Sequence, residues 1–170
     1  MKRWQLKRTK VDIGAMAADM GIQQATAAVL ANRKLLSRKQ THDFLYPDIS
    51  SLHNGLEMQD MEKGLDLITM AIKKGKKIAV YGDYDVDGVM STTILSRTIE
   101  RCGGEVTYYV PHRQQEGYGL NNKAVEQLAA EGVGVLFTCD NGIAAMGEVA
   151  LAKELGMEVV ILDHHEPAFT

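Results

Sequence analysis

At 170 residues, with 45% hydrophobic and 24% charged side chains and a net charge of −3, the chain has the composition of a folded protein with one full-sized core, or a domain plus a helical appendage. No run of eighteen apolar residues occurs, and the basic opening "MKRWQLKRTK" leads into "VDIGAMAADM", too acidic and too short for a secretory leader, so a cytoplasmic location is expected. Cys102 and Cys139 lack C-x-x-C spacing, so neither a disulfide framework nor a zinc knuckle is indicated, and both are expected to be reduced core thiols. Charge is unevenly spread: residues 1–40 carry nine Lys or Arg against Asp12 and Asp19, net +7, and the remainder carries ten against twenty Asp or Glu, net −10. A basic end suits a polyanionic partner or a solvated face, whereas the acidic body is a poor non-specific binder of nucleic acid unless divalent cations reverse its sign locally.

The first 75 residues show helical spacing and no strand pattern. "QQATAAVLANRKLL" is alanine-rich, "LYPDISSLHNG" is turn-like, and "MEKGLDLITMAIKKG" places Met61, Leu65, Ile68 and Ile72 on one predicted helix face. From Lys77 the pattern changes. "KIAVYG" reads as a strand, "GVMSTTILSRTIERCG" as a helix, "EVTYYVP" as a strand, and "NNKAVEQLAAEG" as a helix with an Asn cap and a closing glycine. "VGVLFTCD" is then a strand, "AAMGEVALAKELG" a helix and "MEVVILD" a strand. Strands alternating with helices predict an α/β domain over 76–170, a mostly parallel, right-handed sheet with flanking helices, behind a small helical segment over 1–75.

The unusual polar residues follow the predicted strands. Asp83, Asp85 and Asp87 follow the first, "PHRQQEGYGL" the second, Asp140 the third, and Asp163, His164 and His165 the fourth. Ligands of open parallel sheets bind at the carboxyl ends of strands, so one edge of the sheet is expected to gather all of these groups. Within "AVYGDYDVDGVMSTTIL" the three aspartates repel one another, by about 4 kcal/mol for a pair at 4 Å under an effective dielectric near 20. A calcium EF-hand loop does not explain them: counted from Asp83, Gly88 is sixth as required, but the twelfth residue is Ile94 where a bidentate glutamate belongs. Carboxylates with imidazoles suit Mn²⁺ or Mg²⁺ with open positions, and two such ions stabilise an in-line phosphoryl displacement. Gly88 opens a helix and offers N–H groups to phosphate, and Arg113 offers a bidentate phosphate contact. Each feature has a plainer alternative: Asp140 as a helix cap, His164 and His165 as surface residues, Gly117 and Gly119 as turn glycines around a packed Tyr118.

The combination of "YGDYDVDG", "TCDNGI" and "LDHHEP" resembles the first three motifs of the DHH phosphoesterase superfamily. "PHRQQEGYGL", "GDYDVDG" and the helical "VLANRKLLSRKQTHDFLYPD" further resemble its RecJ family of single-strand-specific exonucleases. The resemblance implies a two-metal Mn²⁺ or Mg²⁺ site that hydrolyses single-stranded DNA from the 5′ end in repair and recombination, with repair or recombination proteins as further partners. It implies that Asp85, Asp87, Asp140 and His164 are metal ligands, Asp140 bridging. In the same pattern His165, beside Asp163, meets the substrate phosphate or leaving group, and Asp83 supports the motif loop. Arg113 contacts substrate phosphate, with Tyr118 and Gly119 of "EGYGL" shaping the adjoining wall and Gly88 the helix end. Members of the family continue with a fourth acidic motif and a DHHA1 domain, so the chain is expected to be the N-terminal piece of such a protein and inactive by itself. Alternatives are a DHH enzyme acting on oligonucleotides or cyclic dinucleotides, a pyrophosphatase, disfavoured by Tyr81 and Val86, and a non-catalytic DNA- or partner-binding module, disfavoured by retention of every acid and both histidines.

Overall fold

The computed structural model describes residues 9–167. The basic run at residues 1–8 lies outside them. Two compact units divide at Glu57/Met58. The first holds α1 (Ile13–Met20), α2 (Gln24–Asn32), α3 (Arg38–Leu45) and two 3₁₀ turns, Ile49–Ser51 and Gly55–Glu57. Asp12 caps α1 by accepting the Ala15 N–H, and Ser37 with Gln40 closes a capping box on α3. Met16, Ala17, Ala27, Leu30 and Ala31 form its small core.

The second unit contains α4 (Met61–Lys73), β1 (Lys77–Tyr81), α5 (Val86–Arg101), β2 (Val106–Tyr109), α6 (Asn122–Ala130), β3 (Val133–Cys139), α7 (Met146–Glu154) and β4 (Glu158–Leu162). The four strands form one sheet in the order β2-β1-β3-β4, every pairing parallel. Side chains alternate across β1. Ile78 and Val80 join Ala71, Ile99, Val135 and Cys139 on the face covered by α4 and α5, whereas Ala79 and Tyr81 join Val125, Leu128, Leu136 and Ala152 beneath α6 and α7. The result is a three-layer α/β sandwich, with β1 buried on both faces as a central parallel strand must be. Along β3 the alternation slips once. Lys77 pairs with Val133 but Ile78 with Val135, so Gly134 is an extra residue that puts Val133 on the same side as Leu136.

Two details depart from the sequence-based expectations. Ahead of the expected domain start at residue 76, α4 packs Leu67, Ile68, Ala71 and Ile72 on the sheet and so shares the compact α/β unit. Leu65 lies off the buried face at 48% exposed. Gly64 faces Val160, and Leu67 fills the stripe instead. Cys139 is buried but Cys102, at the C-terminal end of α5, is exposed. No helix among the described residues is long and apolar enough to cross a membrane.

Candidate metal and phosphate site

Strand order reverses between β1 and β3, the place where an open parallel sheet leaves a crevice at its carboxyl edge. Asp83 and Asp85 leave β1 there and Asp140 leaves β3. Ligand atoms of these three carboxylates lie within 4.8 Å of one another, and a second group, Asp140, His164 and His165, meets the same limit. Asp140 belongs to both. Asp87, in the first turn of α5, is in neither group; with Ser91, Cys139, Asp140, Asp163 and His164 it lines a cavity of about 250 Å³.

The local geometry explains how acidic groups are held so close. Asp85 caps α5, its Oδ1 accepting the Gly88 N–H at 3.0 Å. That N–H is therefore engaged and not free for phosphate, contrary to the role expected of it. What Gly88 contributes is closeness: a Cβ there would stand 2.4 Å from the carbonyl oxygen and 2.5 Å from the nitrogen of Asp83. At Gly82 a Cβ would stand 1.8 Å from Thr92 Oγ1. The two glycines let the start of α5 press on the loop and bury Asp83 to 1% exposure, with its Oδ1 lacking any hydrogen-bond partner.

Asp140 has φ +61°, a left-handed conformation that costs a non-glycine residue about 1 kcal/mol or more. Its Oδ1 lies 3.0 Å from His164 Nε2. Burial raises its carboxyl above the usual range against the His164 contact, helped by the Asp85 charge. Asp163 ties β4 to the turn after β3. Its carboxylate accepts the amides of Ile143 at 3.0 Å, His164 at 2.8 Å and His165 at 3.1 Å, and meets His165 Nδ1 at 2.7 Å. Burial opposes ionisation of Asp163, but these bonds outweigh it and hold the carboxyl below its ordinary value. The Asp163 contact raises the His165 imidazole in turn.

A row of planar groups flanks the carboxylates. The Arg113 guanidinium sits 5.3 Å over the Tyr84 ring, Tyr84 meets Tyr118 edge-on at 6.3 Å, and Tyr118 meets His165 edge-on at 5.9 Å. The Tyr118 hydroxyl donates to the Asp140 carbonyl at 3.3 Å and lies 3.2 Å from His165 Nε2. Burial first, then the charges of Asp83, Asp163 and Asp140, push that phenol up to about 12, so it stays protonated and able to donate. Tyr118 stands between Gly117 and Gly119, both at positive φ, and Gly119 lines a cavity of about 320 Å³ with Tyr118, Asn141 and His165. Sequence reasoning missed Tyr84, whose only signal was its place between two motif acids, and the packing roles of Gly82 and Gly88.

The donor set fits a hard divalent cation. Oxygens within 4.8 Å of one another are nearly spanned by two metal–oxygen bonds of about 2.3 Å, and a buried carboxylate oxygen without a partner is the group such an ion would satisfy.

Residues 77–170 match the DHH family, N-terminal domain. The chain is 36% identical over 166 residues to the single-stranded-DNA-specific exonuclease RecJ of Bacillus subtilis strain 168, covering 97% of this chain and 21% of the relative. It is also 36% identical over 115 residues to RecJ of Escherichia coli K12, covering 67% of this chain and 20% of the relative. The crystal structure of exonuclease RecJ bound to manganese superposes with a TM-score of 0.65 at 35% identity over 70% of this chain and 31% of that one. RecJ in complex with Mn²⁺ from Thermus thermophilus gives 0.60 at 26% identity, over 93% and 22% respectively. The chain thus spans about a fifth of the length of the curated relatives it matches.

Proposed function

The chain belongs to the DHH family, and from that premise we propose that its carboxyl-edge site holds Mn²⁺ or Mg²⁺ and hydrolyses the terminal phosphodiester of single-stranded DNA. The observation that carries the reading is the membership of Asp140 in both ligand groups, with Asp83 and Asp85 on one side and His164 and His165 on the other. A carboxylate shared in this way would suit the bridging role in a two-ion site. Relatives named as single-stranded-DNA-specific exonucleases, and solved structures of RecJ with manganese, support the choice of substrate and metal.

Asp83, Asp85, Asp140 and His164 would hold the metal, with Asp87 reaching the site from the first turn of α5. Bound there, the metal would supply a Lewis acid for the phosphoryl oxygens and a hydroxide at neutral pH. The protein residues do the rest. His165, its proton held by Asp163, faces the position of the phosphate or leaving oxygen as a proton donor. Tyr118 steadies that imidazole, its hydroxyl lying 3.2 Å from His165 Nε2 while its proton goes to the Asp140 carbonyl. Arg113 neutralises a neighbouring phosphate, and the rings of Tyr84 and Tyr118 offer a sequence-tolerant flank for bases, which favours a strand over an isolated phosphate as substrate.

The test is Mn²⁺-dependent release of mononucleotides from 5′- and 3′-labelled single strands by the protein expressed at the full length of its reading frame. Asp140→Ala should reduce the rate by about a hundredfold or more, since even groups outside the metal's direct ligands are commonly worth ten- to a hundredfold. Undiminished cleavage in EDTA, or by Asp140→Ala, would overturn the reading.

A further inference from the structure

The segment between β2 and α6 carries Arg113 and Tyr118 to the site, yet it has no regular secondary structure. One side chain gathers its hydrogen bonds. Glu116 Oε1 accepts from the Tyr109 hydroxyl, at the end of β2, and from Asn121 Nδ2 at 3.3 Å, at the cap of α6. Glu116 Oε2 accepts from the His112 N–H at 2.6 Å, and the Glu116 N–H returns to the His112 carbonyl at 2.9 Å. The carboxylate therefore joins the two rigid ends of the segment to its own first turn. Asn121 extends the connection by donating to the Tyr81 hydroxyl at 3.2 Å, which in turn donates to the Gly119 carbonyl at 3.0 Å. Arg113 lies inside the loop that Glu116 closes, and Tyr118 two residues beyond it. The His112 amide and the Tyr109 hydroxyl hold the Glu116 carboxyl below its usual range, so it is a carboxylate at neutral pH.

Resting on the function argued above, we propose that Glu116 is a positioning residue that fixes the first turn of the β2–α6 segment so that Arg113 faces the incoming strand, Tyr118 being held separately through the Asp140 carbonyl, and that it touches neither metal nor substrate itself. A charge-assisted acceptor of three bonds is suited to this task because a segment without ladder hydrogen bonds would otherwise sample many conformations. Misplacement by about an ångström is enough to weaken a positioned contact severely. Because the effect runs through Arg113, a contact to the strand away from the reacting phosphate, it belongs in KM and not in metal affinity.

The experiment uses the full reading frame with Mn²⁺ and labelled single strands, comparing the unsubstituted protein with Glu116→Ala, Glu116→Gln, Arg113→Ala and the Glu116→Ala/Arg113→Ala pair. Glu116→Ala should raise KM about tenfold with kcat within about twofold, and leave Mn²⁺ affinity by titration calorimetry unchanged. Glu116→Gln, which keeps a carbonyl acceptor for the His112 amide, should recover part of the loss. If Glu116 acts through Arg113, the double variant should be little worse than Arg113→Ala alone. A lowered melting temperature with unchanged KM in Glu116→Ala and Glu116→Gln, beside an active unsubstituted protein, would overturn this inference alone. So would a fall in Mn²⁺ affinity that accounts for the activity lost. Absence of Mn²⁺-dependent cleavage by the unsubstituted protein would overturn the functional reading and this inference with it.

Discussion

Gly88 lies so close to Asp83 that a single added methyl group would meet the Asp83 backbone at 2.4 Å. The obstacle is main chain and has no flexible end to swing aside, so Gly88→Ala must move either the first turn of α5 or the loop that carries Asp83 and Asp85. Overpacking of this kind costs about 2 kcal/mol. A lowered melting temperature together with a weaker Mn²⁺-induced shift is expected; an unchanged melting curve would mean that the turn yields without resistance.

The Tyr118 hydroxyl bridges two strand ends, donating to the Asp140 carbonyl and approaching His165. The ring is 55% exposed, so Tyr118→Phe should cost little stability, about 0.5 kcal/mol for one solvated hydrogen bond. Its effect should fall on turnover, lowering kcat with Mn²⁺ affinity retained. Equal rates for Tyr118→Phe and the parent would show that the hydroxyl takes no part.

Much of this arrangement was legible before any coordinates. Parallel alternation places the three acidic and imidazole motifs at strand ends, and the rule that ligands gather at the carboxyl edge brings them together. The sheet order supplies what the sequence could not: β1 and β3 are neighbours, so Asp85 and Asp140 face each other although 55 positions separate them. At Gly88 the sequence points to the N–H, because helix starts bind anions, whereas in the fold that N–H is held by Asp85 and the lack of a Cβ is the operative property. Close approach between backbone segments distant in space leaves no periodic signal. Leu65 is exposed for a similar reason, since the helical period is indifferent to which of two adjacent stripes the sheet selects. Glu116 carried no signal of its own, because its partners come from β2, its own turn and the cap of α6.

The Asp163–His165 pair makes the protein in EDTA sensitive to pH in a definite direction. Asp163 titrates below its ordinary 3.8 when folded, so its contribution is present above that value and is lost as pH falls through the lower folded one. His165 titrates above its ordinary 6.5 when folded, so its contribution is full below 6.5 and is lost as pH rises through the raised value. The pair therefore supports the fold most in the mildly acidic range between these limits. An NMR titration of the His165 ring should give a midpoint above 6.5, and Asp163→Asn should bring it down. A midpoint that ignores the substitution would assign the shift to another neighbour.

Asp83 separates the two explanations for a buried acid. If it is only structural, its carboxylate is satisfied by the fold and removing the charge should do harm. The observed group is 1% exposed, its Oδ1 has no partner, and Asp85 and Asp140 lie within ligand distance of it, a costly arrangement without a cation. Asp83→Asn preserves the shape and removes the charge. In EDTA it should raise stability by about 1 kcal/mol, read as a higher melting temperature, by relieving desolvation and like-charge repulsion. In Mn²⁺ the order should reverse. The parent gains stability by mass action in proportion to the logarithm of free metal over its dissociation constant, and the variant, having lost a negative charge at the site, gains less. Melting curves that cross between EDTA and saturating Mn²⁺ are the expected signature. A variant destabilised equally in both media would show that Asp83 serves the loop and not the metal.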